Sequence, residues 1–187
     1  MARAAAPSLK ARALQWLAQR EHSRLELRRK LLRHARLRDA ARDAAAVADG
    51  ESPPTGDARS PASVRAASAA EVDALLDWLQ AERHLSDARF VESRVHARVA
   101  RYGNRRIQQE LQQHGTKLDD AGRAQLKASE MLRARTLWQR RFGHTAITPC
   151  DAAARAKQMR FLAGRGFSAE VIHRVLRGSF EDEEVQA

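Results

Sequence analysis

Arginine is the residue type best placed to do chemistry in this chain. It is grouped on three stretches with helical spacing: Arg24, Arg28 and Arg29 with Lys30 and Arg33; Arg94, Arg98, Arg101, Arg105 and Arg106; and Arg165, Arg174 and Arg177. A guanidinium presents a planar fork of donors that pairs bidentately with phosphate or carboxylate. The chemistry on offer is therefore anion recognition. The residues taken as candidate contacts for a partner or nucleic acid are Arg24, Arg28, Arg29, Arg98, Arg101, Arg105, Arg106, Arg165 and Arg174. Arg101, Arg105 and Arg106 flank Gly103, where the backbone N–H groups of a helix start are expected to assist an anion.

Catalytic patterns are absent from the sequence. It has no phosphate-cradling glycine loop, no H-E-x-x-H and no cysteine pair to hold a metal, so neither a cofactor nor a metal is expected. The seven histidines are scattered. His34 and His114 fall at equivalent points of a repeated helix, beside its C-terminus, where an imidazole suits the helix dipole. Asp119 and Asp120 face different ways on a helix and read as a helix start rather than as paired carboxylates. Cys150 stands alone with no base beside it, which fits an inert thiol in a reducing compartment.

The net charge is +11, and its distribution matters more than its sum. Residues 37 to 67 hold four basic and five acidic side chains, and the tail 181–187 holds four more acids, Glu181, Asp182, Glu183 and Glu184. Outside those stretches 30 basic residues face 14 acidic ones. A surface that basic favours nucleic acid or another polyanion. No apolar run approaches the roughly 18 residues of a membrane span, and the opening MARAAAPSLK has too little apolar length for a signal peptide. The expected location is the cytoplasm.

The elements that carry these arginines are helices. No alternating β-branched run occurs, so the fold class is all-α. Leu85 to Gly115 reads as two helices joined at Tyr102-Gly103, with Ser86 as N-cap, Leu85 stapled to Phe90, and Gly115 as the left-handed residue that ends the second. Its second half recurs. Leu27 falls on Ile107, Leu31 on Leu111 and His34 on His114, and near the C-terminus Leu162 falls on Leu111 and Gly166 on Gly115. One short helical unit thus occurs three times. The repeats are placed at 8–84, 85–128 and 129–180, with 181–187 as the tail.

Within the first repeat, a helix over Ser8–Glu21 buries Ala11, Leu14, Leu17 and Ala18, and the pair Ser23 and Glu26 forms a capping box that opens the next. The Ala-, Asp- and Pro-containing stretch 37–67 shows no periodicity and is expected to be a disordered insertion, with at most a frayed turn near Asp39 to Val47. Ser68 and Glu71 then cap a helix ending near Arg83, with Val72, Leu75, Leu76 and Leu79 inside. Lys117 to Lys127 is a weak, apolar-poor helix, and Glu130 to Arg141 is a separate one. Thr148-Pro149 signals a helix ending near Gly164, and Ser168 opens the last, with Val171, Ile172, Val175 and Leu176 as its apolar face.

In order along the chain, Arg20-Glu21-His22-Ser23 with Glu26-Leu27, Leu85-Ser86-Asp87 with Phe90, Gly103-Asn104-Arg105-Arg106-Ile107 with Glu110-Leu111 and Gly115, and Arg160-Phe161-Leu162 with Arg165-Gly166-Phe167 resemble the RecX family of bacterial recombination regulators. The long insertion and the apolar-poor helix after Gly115 depart from its pattern. The resemblance implies three tandem three-helix, helix-turn-helix-like repeats in an elongated, curved array; the expected state is a monomer. It also implies a non-enzymatic function: binding RecA and its filament on single-stranded DNA, so restraining strand exchange, ATP hydrolysis and RecA-stimulated self-cleavage of repressors in the SOS response. Direct contact with single- or double-stranded DNA goes with it. A helix-turn-helix transcriptional regulator would also be small, helical and basic, but should concentrate charge on one recognition helix rather than on three copies. A nuclease is the more distant alternative, lacking clustered acids for metal.

Overall fold

The computed structural model describes residues 7–48, 61–143 and 152–184. Eight α-helices are found among them: α1 (Leu9–Gln19), α2 (Arg24–Ala48), α3 (Pro61–Ala81), α4 (Asp87–Val99), α5 (Asn104–Gln113), α6 (Asp120–Phe142), α7 (Ala152–Gly164) and α8 (Ala169–Glu184). No strand occurs among the described residues. The chain forms two compact units, 1–90 and 91–187, and the division falls inside α4.

The first unit packs α1, α2 and α3. Ser8 caps α1 by accepting from the Ala11 amide at 3.1 Å. The buried stripe of α1 is Leu9 and Ala13, with Leu14, Trp16 and Leu17 partly covered. Ala11 and Ala18 are exposed, so the expected stripe is rotated toward the face of Leu9 and Ala13. Ser23 accepts from the Glu26 amide at 3.1 Å, half of a capping box. The Glu26 carboxylate turns instead to Arg20. The Arg24 amide is satisfied from elsewhere, by Asp87 Oδ1 at 2.8 Å. Leu27, Leu31 and Ala35 meet Val72, Leu76 and Leu79 in the core, with Leu85 closing it.

The stretch 37–67 differs from expectation. α2 runs on to Ala48 and α3 begins at Pro61; residues 49–60 lie outside the described residues. Ala40, Ala41, Ala44 and Ala45 are exposed, so this part of α2 draws on intrinsic helix propensity, highest for alanine, and needs no apolar stripe. Ser68 therefore lies inside a helix rather than at its cap, and its hydroxyl donates to Asp39 Oδ2 at 3.0 Å. His34, too, sits in mid-helix, with its ring centroid 6.3 Å from that of Trp16 in an edge-to-face arrangement. His114, by contrast, is the C-cap of α5.

The second unit holds α5 to α8 and most of α4. α5 and α7 end alike. The Thr116 amide returns to the Leu111 carbonyl at 3.0 Å and the Phe167 amide to the Leu162 carbonyl at 3.3 Å. Between them Gly115 and Gly166 take φ of 70° and 85°, the left-handed residue of a Schellman ending. Leu31, Leu111 and Leu162, aligned by sequence, are each fully buried. Asp119 caps α6 by accepting from the Gly122 amide at 2.8 Å. The two helices expected over 117–127 and 130–141 are one helix, because nothing between Lys127 and Glu130 breaks it. Ser129 bonds back to the Gln125 carbonyl at 3.1 Å and stays helical. The core here is Ala134, Leu162, Phe167, Ile172, Val175 and Leu176. Glu181 to Glu184, expected as a tail, form the last turn of α8. Thr148, Pro149 and Cys150 lie outside the described residues.

Candidate polyanion interface around Tyr102

Two turns distant in sequence meet in the second unit. The Gly103 amide donates to the Arg165 carbonyl at 2.9 Å, and the Arg105 amide donates to the Gly166 carbonyl at 3.1 Å. Only glycine allows this approach. A Cβ on Gly103 would lie 2.4 Å from the Gly166 carbonyl and the Phe167 nitrogen; one on Gly166 would lie 2.5 Å from the Arg106 Cβ.

A buried and a half-buried charged side chain on α6, Glu130 and Arg133, fix the α4–α5 turn from below. Glu130, 5% exposed, accepts from the Asn104 amide at 3.1 Å and from Asn104 Nδ2 at 2.9 Å. The Arg133 guanidinium donates to the Tyr102 carbonyl at 2.7 Å, the Val99 carbonyl at 3.3 Å, Asn104 Oδ1 at 2.6 Å and the Leu126 carbonyl at 3.0 Å. It therefore closes the end of α4 and the start of α5 together. Burial lowers the Arg133 pKa from its ordinary value, and the charge of Glu130 opposes that shift. The guanidinium stays charged in either case.

Above this frame, arginines from two three-helix repeats gather on one aromatic ring. The Arg106 guanidinium lies 4.7 Å from the Tyr102 ring centroid, Arg165 lies 5.7 Å away and Arg98 5.9 Å. All three are within the range of cation–π attraction. Arg165 also reaches the Arg101 carbonyl at 3.4 Å, and Arg106 the Gly164 carbonyl at 3.4 Å. Arg101 and Arg105 are exposed beside them, and neither side chain has a hydrogen bond or ion pair among the described residues.

The nine candidate arginines thus separate into classes that sequence spacing did not distinguish. Arg24 pairs with Asp77 at 2.7 Å. Arg28 grips Asp73 through two bonds of 2.6 and 2.9 Å, which raises the arginine pKa and lowers that of the carboxyl. Arg98 is held by Glu110 at 3.0 Å, with its pKa raised by that bond. These three are tied within the fold. Arg106 and Arg165 come together at Tyr102, and Arg101 and Arg105 are exposed on the turn that carries it. Arg29 and Arg174 are exposed and unpaired among the described residues, apart from that group.

One expectation is corrected. The first amides of α5 are not open to an anion, because Gly103 and Arg105 donate to the α7–α8 turn and Asn104 to Glu130. A protein carboxylate already fills the anion position at that helix start. Sequence reasoning also passed over Tyr102 as a platform and Glu130 and Arg133 as supports. The single tyrosine between two arginine pairs was the available signal for the first; Glu130 and Arg133, charged positions in a segment read for its apolar packing residues, left none. Among the described residues, no group of three or more His, Cys, Asp or Glu side chains is arranged to hold a metal ion, and no helix is long and apolar enough to cross a membrane.

Comparison with known proteins agrees with this architecture. Residues 86–121 match the family model described as RecX, second three-helix domain, and residues 129–176 match RecX, third three-helix domain. Regulatory protein RecX of Ralstonia nicotianae is 46% identical over 92% of this chain and 88% of its own. That of Leptothrix cholodnii is 45% identical over 91% and 88%, and that of Herminiimonas arsenicoxydans is 41% identical over 95% and 96%. The crystal structure of RecX from Lactobacillus salivarius shares the fold, with a TM-score of 0.56 over 91% of this chain and 93% of that one at 17% identity. The helical fold, its three-helix domains and sustained identity over almost the whole length lead to one conclusion: the chain belongs to the RecX family of regulatory proteins.

Proposed function

We propose that this protein is a non-enzymatic cytoplasmic regulator of homologous recombination and the SOS response. It binds RecA and the RecA filament on single-stranded DNA, and restrains recombinase, ATPase and co-protease activities. One observation carries the reading: arginines from two repeats, Arg106 and Arg165, converge on Tyr102 over a packed frame, with Arg101 and Arg105 exposed on the same turn, inside a RecX-family chain. A filament of RecA on DNA offers phosphate and carboxylate, the two groups a guanidinium cluster recognises best. The frame matters because arginines held by packed turns lose less freedom on binding than mobile ones.

The test adds purified protein to preformed RecA filaments on single-stranded DNA and follows ATP hydrolysis and filament length. The parent should slow hydrolysis. Changing Arg101, Arg105 and Arg106 to alanine should weaken inhibition while leaving the circular dichroism unchanged. If each arginine meets one phosphate, the slope of log affinity against log salt on single-stranded DNA falls by about 0.7 per residue. A large loss of inhibition with an unchanged slope assigns the arginines to RecA carboxylates. Full inhibition by the folded triple variant at every salt concentration removes them from the mechanism.

A further inference from the structure

The long helix α2 sorts its arginines by face. Arg24, Arg28 and Arg38 lie on the flank toward α3, and each has an acid there: Asp77 at 2.7 Å, Asp73 at 2.6 Å and Glu71 at 3.3 Å. Arg29, Arg33 and Arg36 are spaced i, i+4 and i+7, so they share one stripe on the side away from the core residues Leu27, Leu31 and Ala35. All three are exposed, and none has a hydrogen bond or ion pair among the described residues. The nearest acids along the helix are Glu26, engaged by Arg20, Asp39, engaged by Arg38 and Ser68, and Asp43, two turns beyond Arg36. α1 packs on a different flank, where Lys30 and His34 meet Trp16.

We propose that the stripe Arg29–Arg33–Arg36 is a contact strip for the phosphodiester backbone of duplex DNA. It is a second nucleic-acid surface, independent of the cluster around Tyr102 and of RecA. A face kept merely soluble mixes both signs of charge, whereas this one carries a single sign while the adjoining flank is fully neutralised. The geometry fits a regular row of phosphates. At about 1.5 Å per helical residue the three arginines span about 10.5 Å, three steps of about 3.4 Å, so they reach along a stretch of four successive phosphates of one strand of a duplex. The helix is stiffened by its ion pairs to α3, so the row keeps its spacing without ordering a loop.

The test uses the full-length protein and no RecA, so its outcome is separate from that of the inhibition assay. Arg29, Arg33 and Arg36 are changed together to glutamine, which keeps a long helix-forming side chain, and in a second variant together to lysine. Binding to a fluorescent duplex of arbitrary sequence and to its single strand is titrated against salt. The expected result is a duplex slope shallower by about 0.9 per residue in the glutamine variant, recovery of the parent slope in the lysine variant, and little change on the single strand. An unchanged duplex slope in the glutamine variant overturns the proposal. So does an equal loss on both DNAs, which would assign the strip to phosphate without regard to strandedness, or a lysine variant that stays weak, which would indicate a shape-specific protein contact.

Discussion

Gly103→Ala is the most informative single change, because the backbone at Gly103 is ordinary while the space around it is not. With φ of −78° and ψ of 170° the residue sits where alanine is fully allowed, so the cost is steric. The new Cβ would stand 2.4 Å from backbone atoms of Gly166 and Phe167, against a comfortable carbon contact of about 3.5–4.0 Å. Backbone cannot rotate away as a side chain can, so the two turns must part by more than 1 Å. That displacement carries the Gly103–Arg165 and Arg105–Gly166 bonds, now 2.9 and 3.1 Å, beyond hydrogen-bonding range. Overpacking of this kind costs about 1–3 kcal/mol, and two lost backbone bonds cost about 0.5–1.5 kcal/mol each. Together they predict destabilisation of about 2–6 kcal/mol, read as a lowered urea midpoint by circular dichroism and Trp138 fluorescence. The same variant should lose the ordered approach of Arg165 to Tyr102, and with it part of the proposed inhibition of RecA. Stability within about 0.5 kcal/mol of the parent, a margin typical of harmless surface changes, would refute the reasoning and mean that the two turns are not in contact.

Other outcomes follow from single features. Gly178→Ala, in mid-α8 with nothing within 4 Å of its Cβ position, should stabilise the protein by about 0.8–1 kcal/mol through helix propensity, and a urea titration checks it. Leu111→Ala removes a side chain with no exposed surface and should cost about 2–5 kcal/mol in the same titration; a variant as stable as the parent would place Leu111 outside the core. His22 sets a pH dependence. It is buried against Arg20 and Lys30, with Nδ1 2.9 Å from the Arg20 carbonyl and Nε2 2.9 Å from Lys30 Nζ. Desolvation holds its pKa below the usual 6.5, outweighing the Arg20 carbonyl and Glu26, which pull it upward. The unfolded chain therefore binds this proton first, so stability is complete above about pH 6.5 and falls as the pH drops toward the folded-state pKa. Urea midpoints between pH 8 and 5 should show that decline, and His22→Gln should flatten it; an unchanged decline would assign the dependence to other groups.

What was legible in the sequence and what was not divides along physical lines. Helix ends with local signatures were legible: Ser86, Gly103, Gly115, Asp119 and Ser168 act within a few residues of themselves, and each performs the role its type suggests. The alignment of Leu31, Leu111 and Leu162 was legible because a buried leucine at a fixed distance from a helix end repeats as a pattern. The helical parts of 37–67 were not, since an alanine-rich helix with exposed sides leaves no periodic trace. The candidate site was half legible. Exposed arginines can be read off a helix surface, but the acids that neutralise Arg24, Arg28 and Arg98 lie 53, 45 and 12 residues away, and only the fold pairs them. The meeting of Tyr102 with Arg165 is likewise a product of packing. Nothing near either residue announces the other.

The continuity of α6 makes its length a ruler. Its first half serves the α4–α5 turn through Leu126, Glu130 and Arg133, and its second half packs Ala134 against α7 and α8. Adding or removing one residue between those halves would rotate everything downstream by about 100° and shift it by about 1.5 Å along the axis. Gly166 would then no longer arrive opposite Gly103. Point substitutions on the exposed face of α6 can accumulate freely, but a single-codon insertion or deletion within it should be far more damaging than the same change beyond either end. The same holds for attempts to excise the last three-helix domain. A cut near residue 129 falls in the middle of a helix, so the excised piece would begin on a frayed end, without the Asp119 cap that now closes it.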